Sequence, residues 1–204
     1  MIACLDLEGV LIPEIWIKFA EKTGIEGLKL TTRDIPDYDE LMQGRLKILR
    51  EHHLKLQDIQ KVIGEMSPLE GAYDFLKWLK SEFQVVILSD TFYQFAGPLM
   101  AQLEYPTLFC HKLIVDSSGN INDYQLRIKD GKTKAVAAFQ QLNFQVIAAG
   151  DSYNDTGMLK QANAGIFFRP PPSIIGEFPQ FKVTDNYNDF RSAFLSARAN
   201  IQKD

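Results

Sequence analysis

MIACLDLEGV, residues 1–10, joins an apolar run to a pair of acids. Ile2, Ala3, Cys4, Leu5 and Leu7 suit a strand buried on both faces of a parallel sheet. Asp6 and Glu8 stand at its C-terminal end, with Gly9 after them. Ligands of open α/β sheets bind at the carboxyl ends of strands. Acids at positions n and n+2 there suit a Mg²⁺ site, because a hard cation takes oxygen ligands. The plain alternative is two solvated acids at a strand end, and the rest of the chain must decide.

Two more apolar runs end in the same way. FQVVILSD (83–90) closes on Ser89 and Asp90, and FQVIAAGD (144–151) closes on Gly150 and Asp151. AGIFF (164–168) reads as a fourth strand. Helical patterns lie between and after them: SPLEGAYDFLKWLKSEF (67–83), FYQFAGPLMAQL (92–103, with an interruption expected at Gly97-Pro98), GKTKAVAAFQQLN (131–143), SYNDTGMLKQAN (152–163, after a loop) and NDFRSAFLSARANI (188–201). TLFCHKLIVD and NINDYQLRI bracket Ser117-Ser118-Gly119-Asn120 and read as a hairpin, whereas PPPSIIGEFPQF (170–181) reads as a loop. Alternating strands and helices give an α/β fold with a doubly wound, Rossmann-like parallel sheet.

The segment after the first strand breaks this alternation. LIPEIWIKFAEKTG (11–24) reads as a helix with Pro13 in its first turn and Gly24 at its end. TTRDIPDYDE (31–40) reads as a loop entering a helix, and LMQGRLKILREHH and LQDIQKVIGEM read as two more helices. That is too long for a strand-to-helix connection. Residues 12–67 are therefore expected to form a small helical cap, and residues 1–11 with 68–204 the core domain.

Composition excludes several classes. A net charge of −4 offers no nucleic-acid surface, and no apolar run approaches the ~20 residues that span a bilayer. The start of the chain lacks the basic region of a signal peptide. Cys4 and Cys110 lack Cys-x-x-Cys spacing and read as buried free thiols, which points to the cytoplasm. Dinucleotide and P-loop glycine fingerprints are missing.

In a parallel sheet the ends LDLEG, LSDT and AGDSYND share one rim, which gathers Asp6, Glu8, Ser89, Asp90, Asp151 and Asp155. Acids packed this closely repel one another unless a cation offsets them, and Mg²⁺ is the expected cofactor. A carboxylate can attack phosphorus and form an acyl phosphate. A lysine can add positive charge, and Ser89 can donate to phosphate oxygens.

LDLEGVL, ILSDT, a lysine before a helix, and AAGDSYND match in order the four motifs of the haloacid dehalogenase superfamily. The insertion falls where that superfamily carries a small cap. DLEGVLIPEIWIKFAEKTGI, TTRDIPDYDELM, VVILSDTFY and VIAAGDSYNDT resemble more closely its phosphoserine phosphatase branch, and within it the bifunctional phosphoserine phosphatase/homoserine phosphotransferases. The resemblance implies transfer of phosphate from O-phosphoserine to water or to homoserine. It makes Asp6 the nucleophile, Glu8 the general acid/base and Lys132 the motif lysine. Asp6, Glu8 and Asp151 would hold the metal, with Asp155 behind them. Ser89, Asp90, Lys132 and Asn154 would bind substrate, Glu14 its ammonium and Arg45 its carboxylate. Two departures bear on the rate of hydrolysis: Glu8 stands where the superfamily usually has Asp, and Val10 where many members carry Thr or Ser.

Each residue also has a plainer reading. Asp155 could cap the helix that follows. Glu14 would favour a helix dipole by up to ~1 kcal/mol. Lys129, Lys132 and Lys134 lie close together, and in the plain reading two are surface residues; a cation at a helix start opposes the dipole, so Lys132 implies a local anion. Arg45 shares a helical face with Leu41, Ile48 and Leu49, where a guanidinium needs an anion or a route to water. His52, His53 and His111 lack metal-ligand spacing and read as surface or packing residues; Trp16, Phe19, Tyr38 and Phe92 read as core. Alternative functions are a phosphatase for another small phosphate ester and a receiver-like phospho-Asp module, although receiver domains are shorter and lack the insertion. The oligomeric state, monomer or homodimer, is left open.

Overall fold

The apolar run at the start forms the strand β1 (Ile2–Leu5) in the computed structural model, which describes residues 1–32, 34, 35 and 37–203. The chain continues through α1 (Ile15–Thr23), α2 (Tyr38–Glu51), α3 (Leu56–Gly64), α4 (Ala72–Glu82), β2 (Gln84–Phe92), α5 (Tyr93–Gln102), β3 (Thr107–Val115) and β4 (Ile121–Gln125). It ends with α6 (Gly131–Gln141), β5 (Val146–Gly150), α7 (Thr156–Gln161), β6 (Ala164–Phe168), α8 (Pro172–Glu177), β7 (Lys182–Thr184) and α9 (Tyr187–Ile201). The sheet order is β4-β3-β2-β1-β5-β6-β7. Every pairing is parallel except the β3–β4 hairpin. From β1 the chain winds outward to β3, then crosses back to build the other half from β5. β1 is thus the switch point, and the crevice beyond its carboxyl end is where such sheets bind ligands.

Alternation along β1 feeds two cores. Ile2 and Cys4 join Val86, Leu88, Val146, Ala148 and Phe167 against Val136 of α6, Met158 of α7 and Ile174 of α8. Ala3 and Leu5 join Ile87, Ile147, Ala149 and Phe168 on the opposite face. That second cluster holds Phe75, Phe190 and Phe194, and it runs on into Phe19, Leu46 and Ile59 of α1–α3. Burial on both faces is why β1 and β5 read as unbroken apolar runs. Both cysteines are free and buried, and no helix among the described residues is long and apolar enough to cross a membrane.

The sequence reading needs local corrections. α5 is not broken at Gly97-Pro98. Pro98 has no N–H to give to the carbonyl of Gln94, and Gln60 Nε2 of α3 donates to that oxygen instead at 2.8 Å. α1 begins at Ile15, after Pro13 rather than around it, because Gly9 N–H donates to Ile12 O (2.8 Å) and holds the preceding residues in a turn. PPPSIIGEFPQF contains α8, with Pro at its start, and the short β7 follows it. Arg33 and Pro36 of the expected loop TTRDIPDYDE lie outside the described residues.

Phe75 ties α4 to α9. It stacks on Phe190 at 4.7 Å and 11° and on Tyr187 at 5.1 Å, and it is fully buried. Phe75→Ala is expected to lower stability by about 3–5 kcal/mol. Urea unfolding should show a lower midpoint at an unchanged slope.

Candidate active site

The acids gathered at the rim are set by backbone before side chains act. At the end of β1, Asp6 N–H donates to Ala149 O (2.9 Å), and Leu7 N–H donates to Asp6 Oδ1 (2.7 Å). Gly9 then turns the chain with φ 75°, a conformation few side chains tolerate. A Cβ there would overlap the Asp151 carboxylate, and one at Gly150 would overlap that of Asp155. These glycines let two carboxylates approach the end of β1.

Asp155 is fully buried. Its Oδ2 accepts from Asp151 N–H (2.9 Å), Ser152 N–H (3.0 Å) and Ser152 Oγ (3.1 Å), and its Oδ1 accepts from Lys132 Nζ (2.8 Å). Its side chain does not cap α7. Lys132 lies in the first turn of α6 and is buried, whereas Lys129 and Lys134 are exposed. Its ammonium is 3.0 Å from Asp6 Oδ1 and 3.5 Å from Asp90 Oδ2.

Charge is unbalanced here. Burial, then repulsion from Asp155, push Asp6 well above the usual carboxylate range against the pull of Lys132. Burial disfavours the Lys132 cation, but Asp155, Asp6 and Asp90 together raise its pKa. Burial also works against ionised Asp90, yet Lys132 and His111 win and bring it down to about 2. One oxygen from each of Asp6, Asp151 and Asp155 lies within 4.8 Å of the others. These three buried acids form an all-oxygen donor set, which fits a hard divalent cation, and the Lys132 ammonium touches two of them, Asp6 and Asp155.

Glu8 stands apart from that trio. Its Oε2 accepts from Ile15 N–H at 2.9 Å. Burial, then the neighbouring Glu14, raise its pKa to about 8. Glu14 occupies the N-cap of α1 without a side-chain cap bond.

Arg45 is buried on α2, as its spacing with Leu41 and Leu49 implies. Its Nη2 donates to Leu30 O (2.8 Å), and its guanidinium lies 4.6 Å from the Trp16 ring centroid. Its buried Nε has no hydrogen-bond partner among the described residues. Burial brings its pKa down to about 10. A cavity of about 250 Å³ is lined by Asp6, Glu8, Glu14, Arg45, Ser89, Asp90, Lys132, Asp151 and Asn154. It thus joins the acid rim to α1 and α2. Ser89 Oγ accepts from Thr91 N–H (3.2 Å), and exposed Asn154 lies 3.3 Å from Thr32 Oγ1.

Sequence reasoning missed residues that frame this cavity. Tyr38 packs against the core, as expected, but it also lines the cavity, and its hydroxyl donates to Asp90 O (3.0 Å). His111 is packed, as expected, but its Nε2 lies 3.4 Å from Asp90 Oδ1. A histidine inside the apolar run LFCHKLIV, beside a strand that ends in acids, was the available signal.

Removing the central cation exposes the balance. Lys132→Met is expected to cost about 3–5 kcal/mol, the usual penalty for stranding one side of a buried ion pair. Urea unfolding without divalent ions measures it, and an unchanged midpoint would mean that the acids do not need the ammonium.

The haloacid dehalogenase-like hydrolase family matches residues 1–163. Phosphoserine phosphatase ThrH of Pseudomonas aeruginosa is 63% identical over 96% of both chains. A phosphoserine phosphatase of Pseudomonas syringae pv. tomato is 61% identical over 96% of this chain and 83% of its own. Among solved structures, a phospho-aspartyl intermediate analogue of phosphoserine phosphatase superposes with a TM-score of 0.71 at 21% identity, covering 89% of this chain and 91% of that one.

Proposed function

The chain belongs to the haloacid dehalogenase-like hydrolases, and from that premise we propose that it is a Mg²⁺-dependent phosphoserine phosphatase that also passes the phosphoryl group to homoserine. The observation that carries the reading is one cavity that joins Asp6 and Lys132 to a buried arginine whose Nε has no partner among the described residues. One end suits a phosphate, the other a small carboxylate. The hydrolase family, matched over residues 1–163, sets aside a non-catalytic receiver-like module.

In this reading an Asp6 carboxylate oxygen attacks phosphorus, and the bond from phosphorus to the serine oxygen breaks. Glu8 gives that oxygen a proton, then takes one from the water or alcohol that attacks the phospho-aspartate. Lys132 offsets charge between Asp6 and the phosphate, and Ser89 and Asp90 bind phosphate oxygens through side chain and backbone. Asp6 and Asp151, with Asp155 bracing their loop, would hold Mg²⁺. When bound, the ion supplies positive charge to the phosphate oxygens. Arg45 takes the substrate carboxylate, Glu14 its ammonium, and Asn154 a further substrate contact. Residues 12–67 act as a cap over the core of 1–11 and 68–204, so the cap selects the amino acid while the core does the chemistry. The unpaired buried thiols Cys4 and Cys110 support a cytoplasmic setting.

The test is a product assay with O-phosphoserine and Mg²⁺, with and without homoserine, following phosphate and phosphohomoserine together. Phosphohomoserine should form at the expense of phosphate, and Asp6→Asn should reduce both by more than about 1,000-fold. Phosphate alone would remove the transferase half of the reading, and neither product would overturn the substrate. Arg45→Leu is expected to raise KM for phosphoserine about 10–100-fold, the loss of a charged hydrogen bond. Hydrolysis of p-nitrophenyl phosphate, which has no carboxylate, should change little.

A further inference from the structure

The β3–β4 hairpin reaches the rim through one imidazole. Arg127 N–H donates to His111 Nδ1 at 3.2 Å. A ring nitrogen that accepts carries no proton, so the hydrogen of the neutral ring sits on Nε2. Nε2 faces Asp90 Oδ1 at 3.4 Å. The other oxygen of the same carboxylate, Oδ2, lies 3.5 Å from Lys132 Nζ, which in turn touches Asp6 Oδ1 at 3.0 Å. The imidazole itself cannot turn freely. It is buried, with Tyr38 and Phe92 rings at 6.3 and 6.4 Å. Arg127 is anchored by Nε to Cys110 O (3.2 Å) and by Nη2 to Tyr93 Oη (2.7 Å).

We propose that His111 is a positioning residue that fixes the Asp90 carboxylate and, through it, holds the Lys132 ammonium on Asp6. This rests on the reading above, in which Asp6 and Lys132 carry phosphoryl transfer. The Asp90–Lys132 contact is the longest that this ammonium makes with the three acids. A carboxylate released from His111 would close on Lys132 and draw the cation away from the nucleophile, since short charge-assisted pairs are the stronger ones.

Three variants separate positioning from packing. His111→Gln can still present an N–H to Asp90. His111→Asn keeps an acceptor for Arg127 N–H but is too short to reach Asp90. His111→Phe fills the space and does neither. Kinetics with O-phosphoserine and with p-nitrophenyl phosphate, both with Mg²⁺, are expected to show kcat lower by about 10–100-fold in the Asn and Phe variants, with KM nearly constant. The Gln variant should recover most of the loss. Wild-type kcat in His111→Asn, or losses that simply follow urea midpoints across the three, would overturn the proposal. Two-bond ¹H–¹⁵N spectra of the imidazoles give a readout free of turnover. The ring missing from the His111→Asn spectrum should carry the neutral Nε2–H pattern, and an Nδ1–H pattern there would overturn the proposal. If the wild-type protein hydrolyses p-nitrophenyl phosphate but not phosphoserine, the substrate reading fails while the kcat comparison on that ester still decides the role of His111.

Discussion

A single buried ammonium holds this rim together. Lys132 sits among Asp6, Asp90 and Asp155, and all four groups lose solvation to be there. Such a cluster stands only where geometry is fixed and remaining donors and acceptors are met. The backbone supplies much of that: an N–H from Leu7 onto Asp6, and N–H groups from Asp151 and Ser152 onto Asp155. Glycine at positions 9 and 150 removes the atoms that would keep the acids apart. The acids come from the ends of adjacent parallel strands, β1, β2 and β5, so the sheet register sets their spacing.

The second cation reaches the cavity from a different part of the chain. Arg45 arrives on α2, packed against Met42 and the Trp16 ring, with Glu8 and Glu14 lining the same cavity. Contacts between α2, the hairpin and the rim keep the two cations in relation. Tyr124 Oη donates to Asp39 Oδ1 (2.5 Å), Tyr38 Oη donates to Asp90 O, and Leu56 N–H donates to Gly119 O (3.0 Å). The β3–β4 hairpin therefore touches both the segment carrying Arg45 and the strand end carrying Asp90. That gives an edge hairpin, far from the middle of the sheet, a part in the shape of the cavity.

What the sequence disclosed follows from the range of each interaction. β1 and β5 are buried on both faces, and a run of apolar residues announces that without knowledge of partners. β7 has three residues and α8 six, too few for a period to emerge. The helix through Pro98 could not be foreseen, because its freed carbonyl is met by Gln60, distant in the chain. In the site, Asp6, Asp90 and Asp151 were legible as acids closing apolar runs, and Arg45 as a cation on an apolar face. His111 and Tyr38 were not, since each acts through contacts created by packing the hairpin against α2 and β2. Motif position favoured Lys132 over Lys129 and Lys134, and burial separates it from those exposed neighbours.

The central place of β1 carries a consequence for synthesis on the ribosome. β1 is translated before both of its neighbours, β2 on one side and β5 on the other. Its first partner begins at Gln84 and its second at Val146, so at ~5–20 residues per second it waits for seconds as an unpaired apolar segment. The turn after it waits longer still: Val10 O receives its hydrogen bond from Tyr187, 177 residues later. The turn after β1 is therefore locked only once the start of α9 has emerged and folded back onto it.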